Sequence, residues 1–231
     1  MRQIVLDTET TGLNPRNGDR IIEVGCVEIV NRRLTGRTLH HYVNPGRSSD
    51  PEALAVHGIT DEFLADKPGF EQIADELLAF CADAEIVIHN ASFDVAFLDE
   101  ELRRLERENF KRGCHSVVDT YELSKRLEPG KRHSLDAMCD RYGVSNARRN
   151  LHGALLDAEL LAEVYLAMTR GQESLVIDLG SSGGAGFVQV DFTAFELIVV
   201  TASAEELQHH ENLLDGLERQ TRRAPIWRAS V

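Results

Sequence analysis

Residues 4–13 read IVLDTETTGL. Three branched apolar residues, Ile4, Val5 and Leu6, run straight into Asp7, and Glu9 follows two positions later. The apolar run reads as a buried strand. Along a strand, residues i and i+2 face the same side, about 6.5 Å apart. Asp7 and Glu9 therefore project together from the strand's end. Two adjacent carboxylates repel unless a positive charge sits between them or one keeps its proton. A divalent cation is the natural partner, and hard oxygen ligands favour magnesium or manganese. A solvated strand end is the plainer reading of D-x-E taken alone, so the rest of the chain has to decide.

The pattern beyond this strand mixes periods. IIEVGCVEIVNRRL alternates apolar and polar positions, and TLHHYVNP follows a turn expected at Thr35-Gly36. With QIVLDTE these read as three antiparallel strands. Residues 50–64 mix a short helix with a loop. Phe70, Ile73, Leu77, Leu78 and Phe80 are spaced as on one helix face. EIVIHN is a short strand, and SFDVAFLDEELRRLER a helix with Ser92 as its expected N-cap. VVDTYELSKRL is a further strand or the start of a helix. HSLDAMCDRYGV is a helix capped by Ser134 and ended by Gly143. NLHGALLDAELLAEVYLAMTRG is expected to be the longest helix. Strands first and helices interleaved afterwards predict an α/β domain with a mixed sheet. It should span residues 1–171. GSSGGAG within 172–186 has the composition of a flexible linker. Residues 187–231 are too few for a confident core of their own, so docking on a partner is expected.

The four cysteines, at 26, 81, 114 and 139, form no C-x-x-C pair, which argues against a zinc ribbon or a disulfide framework. The start MRQIVLDTET lacks a signal-peptide apolar region. No apolar run approaches the roughly 18 residues of a membrane helix, so no membrane partner and a cytoplasmic setting are expected. A net charge of −13 argues against binding nucleic acid through a broad basic surface. It fits either acidic metal sites or work inside a larger assembly.

Two more acidic pieces stand further along. In HNASFDVAFLD, Asp94 sits just inside a helix that follows a strand, where open α/β sheets place their chemistry. A carboxylate that merely suits the helix macrodipole would look the same. In LHGALLDAE, His152 precedes Asp157 by five residues. On a regular helix these would stand about 140° apart. They meet better if His152 lies at or before the first turn, and a surface His followed by a surface Asp is the plainer alternative. A histidine there suits a general base, because its reference pKa lies near neutrality.

D-x-E on a first strand, N-x-x-F-D after a middle strand, and H-x-A-x-x-D on a late helix together resemble the DEDDh family of 3′→5′ exonucleases. The resemblance covers about residues 1–170 and implies a ribonuclease H-like fold, a mixed sheet flanked by helices. It implies two Mg²⁺ or Mn²⁺ ions held by Asp7, Glu9 and Asp157, with Asp94 acting mainly through water and His152 as general base. DPEALAVHGIT, PGKRHSLDAMCDRYGV and NLHGALLDAELLAEVYLAMT narrow it further. They resemble the proofreading exonuclease subunits of the bacterial replicative enzyme, DNA polymerase III.

That closer resemblance implies a single-stranded or frayed 3′ DNA end as substrate. Glu52 and His57 would contact the terminal nucleotide, with Thr8 and Phe93 shaping its pocket beside Asp7, Glu9 and Asp157. It implies the polymerase's catalytic alpha subunit as partner of residues 187–231, and a small theta-like subunit on the nuclease domain. QESLVI resembles a sliding-clamp peptide carried by Gln172, Leu175 and Ile177. Lys131, Arg132, Arg148 and Arg149 are candidates for phosphate contact; a solvated charged face accounts for them equally well. Two other readings stay in play: a free-standing DEDDh ribonuclease, which the tail disfavours, and a scaffold with a decayed site, which five intact motif residues disfavour.

Overall fold

The computed structural model describes residues 1–147, 151–170, 202–221 and 223–228. Ile4, Val5 and Leu6 have no exposed surface. They open β1 (Arg2–Thr10), the middle strand of a five-stranded sheet of order β3-β2-β1-β4-β5. β1 pairs antiparallel with β2 (Ile21–Val30), which pairs antiparallel with β3 (Arg33–Tyr42). On its other side β1 runs parallel to β4 (Glu85–Ile88), and β4 parallel to β5 (Ser116–Asp119).

Helices cover both faces, which is why β1 is apolar from Ile4 to Leu6, the three positions before Asp7. Ile4 and Leu6 pack among residues of α3 (Phe70–Cys81) and α4 (Ala91–Arg104). Val5 packs with residues of α6 (Leu135–Tyr142) and α7 (Ala154–Met168). Short helices α1 (Pro51–His57), α2 (Asp61–Leu64) and α5 (Thr120–Leu127) complete the layer connections. Arg20 holds α4 to the start of β2 through a two-pronged bond to the buried Glu101 carboxylate, both contacts at 2.7 Å.

Several local expectations give way. The hairpin turn between β2 and β3 falls at Asn31-Arg32, whose φ angles of 49° and 62° suit a primed two-residue turn. Thr35-Gly36 lies inside β3 instead, next to a register shift opposite Val27–Ile29, and Gly36 takes the positive φ there. The alternation in β2 does not give a wet face: Glu23 and Glu28 are each 3% exposed, because helices or edge side chains cover both sides. Ser92 does not cap α4. That position belongs to Asn90 in left-handed geometry, and the Asp119 carboxylate accepts the backbone N–H groups of Asn90 and Ala91 at 3.2 and 3.0 Å. Ser134 and Gly143 bound α6 as expected.

The chain divides into two compact units, Met1–Val176 and Ile177–Val231. In the second, α8 (Ala204–Thr221) is 18 residues long and outruns the 15 of α7. Ser203 and Glu206 cap it reciprocally. A short turn, Ile226–Arg228, returns along it, and the Arg228 guanidinium meets Glu211, Asp215 and Glu218 at 2.6, 2.6 and 2.9 Å. Leu207, Leu213 and Trp227 are exposed. The linker 172–186, with Gln172, Leu175 and Ile177, lies outside the described residues, as do Arg148 and Arg149. Among the described residues no helix is long and apolar enough to cross a membrane.

Candidate active site

The parity of β1 distributes the site. Asp7 and Glu9 share the face of Val5, toward α7, whereas Thr8 shares the face of Leu6, toward α4. At the carboxyl ends of β1 and β4 a cavity of about 690 Å³ opens. Its wall includes Asp7, Thr8, Glu9, Phe93, Asp94, His152 and Asp157, all of them expected from sequence. Leu13, His89, Asn90, Tyr121, Ser134, Leu135 and Asp136 complete it, and sequence reasoning had singled out none of these for the site. His89 and Asn90 carried one readable signal: they are the polar end of the EIVIHN strand, the position where α/β sheets bind ligands.

Three elements bring the acids together. β1 supplies Asp7 and Glu9. α4 begins immediately after β4, because Asn90 makes the whole turn at φ 63°, so Asp94 falls in its first turn. Thr8 then ties Asp94 to β1: its backbone N–H and its hydroxyl donate to Asp94 Oδ1 at 3.1 and 2.7 Å. α7 supplies Asp157 in its own first turn, where the helix macrodipole favours a carboxylate. Gly25, the register partner of Asp7 on β2, permits this approach. A Cβ there would stand 2.3 Å from the Leu155 nitrogen and 2.4 Å from the Leu155 Cα. The backbone of α7's first turn therefore rests on bare strand.

His152 lies ahead of α7, in a segment pinned to the end of α1. Its N–H donates to the Val56 carbonyl at 3.2 Å. Its imidazole Nδ1 stands 3.2 Å from Asp157 Oδ2, with the ring 44% exposed and Asp157 5%. One ligand atom each from Glu9, His152 and Asp157 lies within 4.8 Å of the other two. A donor set of carboxylate oxygens with one imidazole suits a hard divalent cation. It also answers the mutual repulsion of three carboxylates sharing a cavity.

The remaining candidates lie around this centre. Glu52 is exposed and lines a neighbouring depression that shares Leu13 with the main cavity. His57 is 4% exposed and lines neither. Its Nδ1 accepts the Ile59 N–H at 2.9 Å, which leaves the proton on Nε2, and burial pushes its pKa down. Lys131 and Arg132 are exposed.

Burial pushes the Asp94 carboxyl up to about 7, against the pull of the Thr8 hydrogen bonds and with help from the charge of Asp119. The usual carboxylate value lies near 4. Between these values the folded protein keeps a proton that the unfolded chain releases. Metal-free protein is therefore expected to lose stability as pH rises from about 4 to about 7. Melting curves in EDTA across that range, for wild type and Asp94→Asn, check this. The variant, which cannot titrate there, should show the shallower decline, and equal slopes would refute the buried-proton account.

With this geometry in view, comparisons with known proteins agree. The family model described as Exonuclease (RNase_T) matches residues 4–165. The DNA polymerase III subunit epsilon of Salmonella typhimurium strain LT2 is 50% identical over 238 residues, 99% of this chain and 98% of that protein. Exonuclease X, solved in complex with 5′ overhanging duplex DNA, superposes with a TM-score of 0.57 at 26% identity, over 72% of this chain and 90% of its own. Exonuclease I superposes with a TM-score of 0.65 at 16% identity, over 74% of this chain and 41% of its own, a likeness of fold alone. The mixed sheet flanked by helices is the ribonuclease H-like arrangement of such exonucleases.

Proposed function

Because this chain belongs to the epsilon-subunit family of DNA polymerase III and carries its exonuclease domain, we propose that it removes mispaired nucleotides from 3′ DNA ends. The observation that carries this reading is the meeting of Glu9, His152 and Asp157 within 4.8 Å, in a cavity that also exposes Asp7. Asp7, Glu9 and Asp157 would hold two Mg²⁺ or Mn²⁺ ions. When bound, such a pair supplies the positive charge that makes attack on a phosphodiester and departure of the 3′ oxygen feasible.

The protein's own groups do the rest. Asp157 holds the His152 ring through Nδ1, and His152 would accept a proton from the attacking water through its other ring nitrogen. Asp94, held by Thr8, orders water and fixes α4 against β1. Phe93, backed by Phe97 at 4.9 Å between ring centroids, gives the terminal nucleotide an apolar wall. Glu52 would accept a hydrogen bond from the nucleotide's 3′ hydroxyl, and His57 would approach its sugar or base. An unpaired end enters such a site more cheaply, since unstacking costs a few kcal/mol less. Selection for mismatches then needs no reading of base identity.

Residues 1–171 would be the nuclease. Residues 172–186 would be a tether with a clamp peptide at Gln172, Leu175 and Ile177. Residues 187–231 would dock on the catalytic alpha subunit, with a small theta-like subunit on the nuclease domain and the whole in the cytoplasm. Digestion of a 5′-labelled primer, paired or with a terminal mismatch, tests the reaction. One-nucleotide shortening that needs Mg²⁺, stops in EDTA and prefers the mismatch is expected. Preference for the equivalent RNA would replace this reading with a ribonuclease, and well-folded protein that cuts neither would leave a scaffold.

A further inference from the structure

Glu23 is an expensive residue for β2. It is 3% exposed and sits directly across the strand pair from Glu9, so two carboxylates oppose each other on one face. Like charges so placed destabilise a sheet. Only one of its oxygens is satisfied: His40 Nε2 meets Oε1 at 2.7 Å, while Oε2 is buried with no partner. A core selected for stability alone would discard such a group. Its surroundings indicate why it stays. Both carboxylate oxygens lie 3.9 Å from where a Cβ on Gly153 would stand. Gly153 is the N-cap of α7 and brings no side chain to that turn. The neighbour of Gly153 is His152, and the first turn beyond it carries Asp157. The His57 ring, whose buried Nε2 also lacks a partner, feels the charge of Glu23 as well.

We propose that Glu23 is a positioning residue for the exonuclease reaction. Its carboxylate, fixed by His40, brings to the start of α7 the negative charge that Gly153 cannot. It thereby holds His152 and Asp157 in register with Glu9. Glu23 lies outside the cavity wall and touches no reacting atom; it acts through the backbone of residues 152–157. The inference rests on the exonuclease reading of the site.

The test uses the full chain with Glu23→Gln, which keeps volume and an acceptor for His40, and Glu23→Ala. On the mismatched primer, Glu23→Gln is expected to lower kcat about tenfold with KM within about twofold, as expected for a misplaced but present base. Glu23→Ala should lower it about 100-fold. Melting temperature should hold for the glutamine variant, because a like-charge opposition is removed. In metal-free, DNA-free protein, amide exchange at 153–157 should quicken about tenfold, the size of a lost charge at a helix N-terminus. Wild-type kcat in the glutamine variant would overturn the proposal. So would a fall in kcat together with a raised KM and a lowered melting temperature, since general loosening does that. If wild type does not shorten DNA, the exonuclease reading fails, while the exchange rates still decide whether Glu23 holds this turn.

Discussion

Asp7→Ala and His152→Ala are each expected to cut primer shortening by about 10³-fold, the scale of losing a proton acceptor or part of a charge clamp, while leaving the fold intact. The two losses have different origins. Asp7 is half-buried near the end of β1, and its removal takes a carboxylate from the cavity wall beside Glu9 and Asp157. His152 is 44% exposed and sits ahead of its helix, so little packing is lost with it. The stability consequence has a definite sign. Without metal, Asp7 shares a cavity with other carboxylates, Glu9 and Asp157 among them, and removing one like charge relieves repulsion. Metal-free Asp7→Ala should therefore melt no lower than wild type, and metal should raise its melting point less than it raises that of wild type. Near-normal hydrolysis by either variant would sink the assignment of that residue. A collapse of melting temperature in metal-free Asp7→Ala would show that its carboxylate is structural.

The face shared by Asp7 and Glu9 was legible because strand parity is local: position i+2 repeats whatever lies at i. His152 and Asp157 were legible through the H-x-A-x-x-D motif and its resemblance to a known family, since five residues on a regular helix would have set them about 140° apart. What sequence missed is what depends on distant partners. Ser92 looked like the cap of α4, but the groups that accept its first N–H bonds are on Asp119, 28 residues from Ala91. Glycine drew the hairpin turn to Thr35-Gly36, yet Asn31-Arg32 takes the positive φ pair and Gly36 serves an irregularity inside the strand. Glu23 lies at a polar position of an alternating strand and is buried, because covering layers are set by topology and not by the strand's own pattern. The burial of His57 at the end of α1 has the same origin.

Gly25→Ala is the prediction that joins fold to chemistry. A glycine in the middle of a strand normally weakens it, and often marks a place where another backbone comes close. Here the approach is extreme, with a Cβ placed 2.3 Å from the Leu155 nitrogen, 2.4 Å from the Ala154 carbonyl carbon and 2.4 Å from the Leu155 Cα. All three are backbone atoms, so no side-chain rotation makes room. Either β2 or the start of α7 has to move. Overpacking of this kind costs about 1–3 kcal/mol, which for a chain of this size lowers the melting temperature by roughly 2–10 °C. The larger effect should be on turnover. α7 carries Asp157 in the same turn as the clash, two residues beyond Leu155, and His152 just ahead of it, whereas Asp7 stays on β1 opposite residue 25. A displacement of about 1 Å between such groups is worth about 100-fold in rate. Gly25→Ala is thus expected to fold, melt a few degrees lower and lose about two orders of magnitude in kcat, although residue 25 touches no substrate. Trimming Leu155 to alanine in the same chain should restore nothing, because the obstructing atoms are not in its side chain. Full activity in Gly25→Ala would mean that α7 does not rest on β2 as described, and the joint placement of His152 and Asp157 would lose its structural basis.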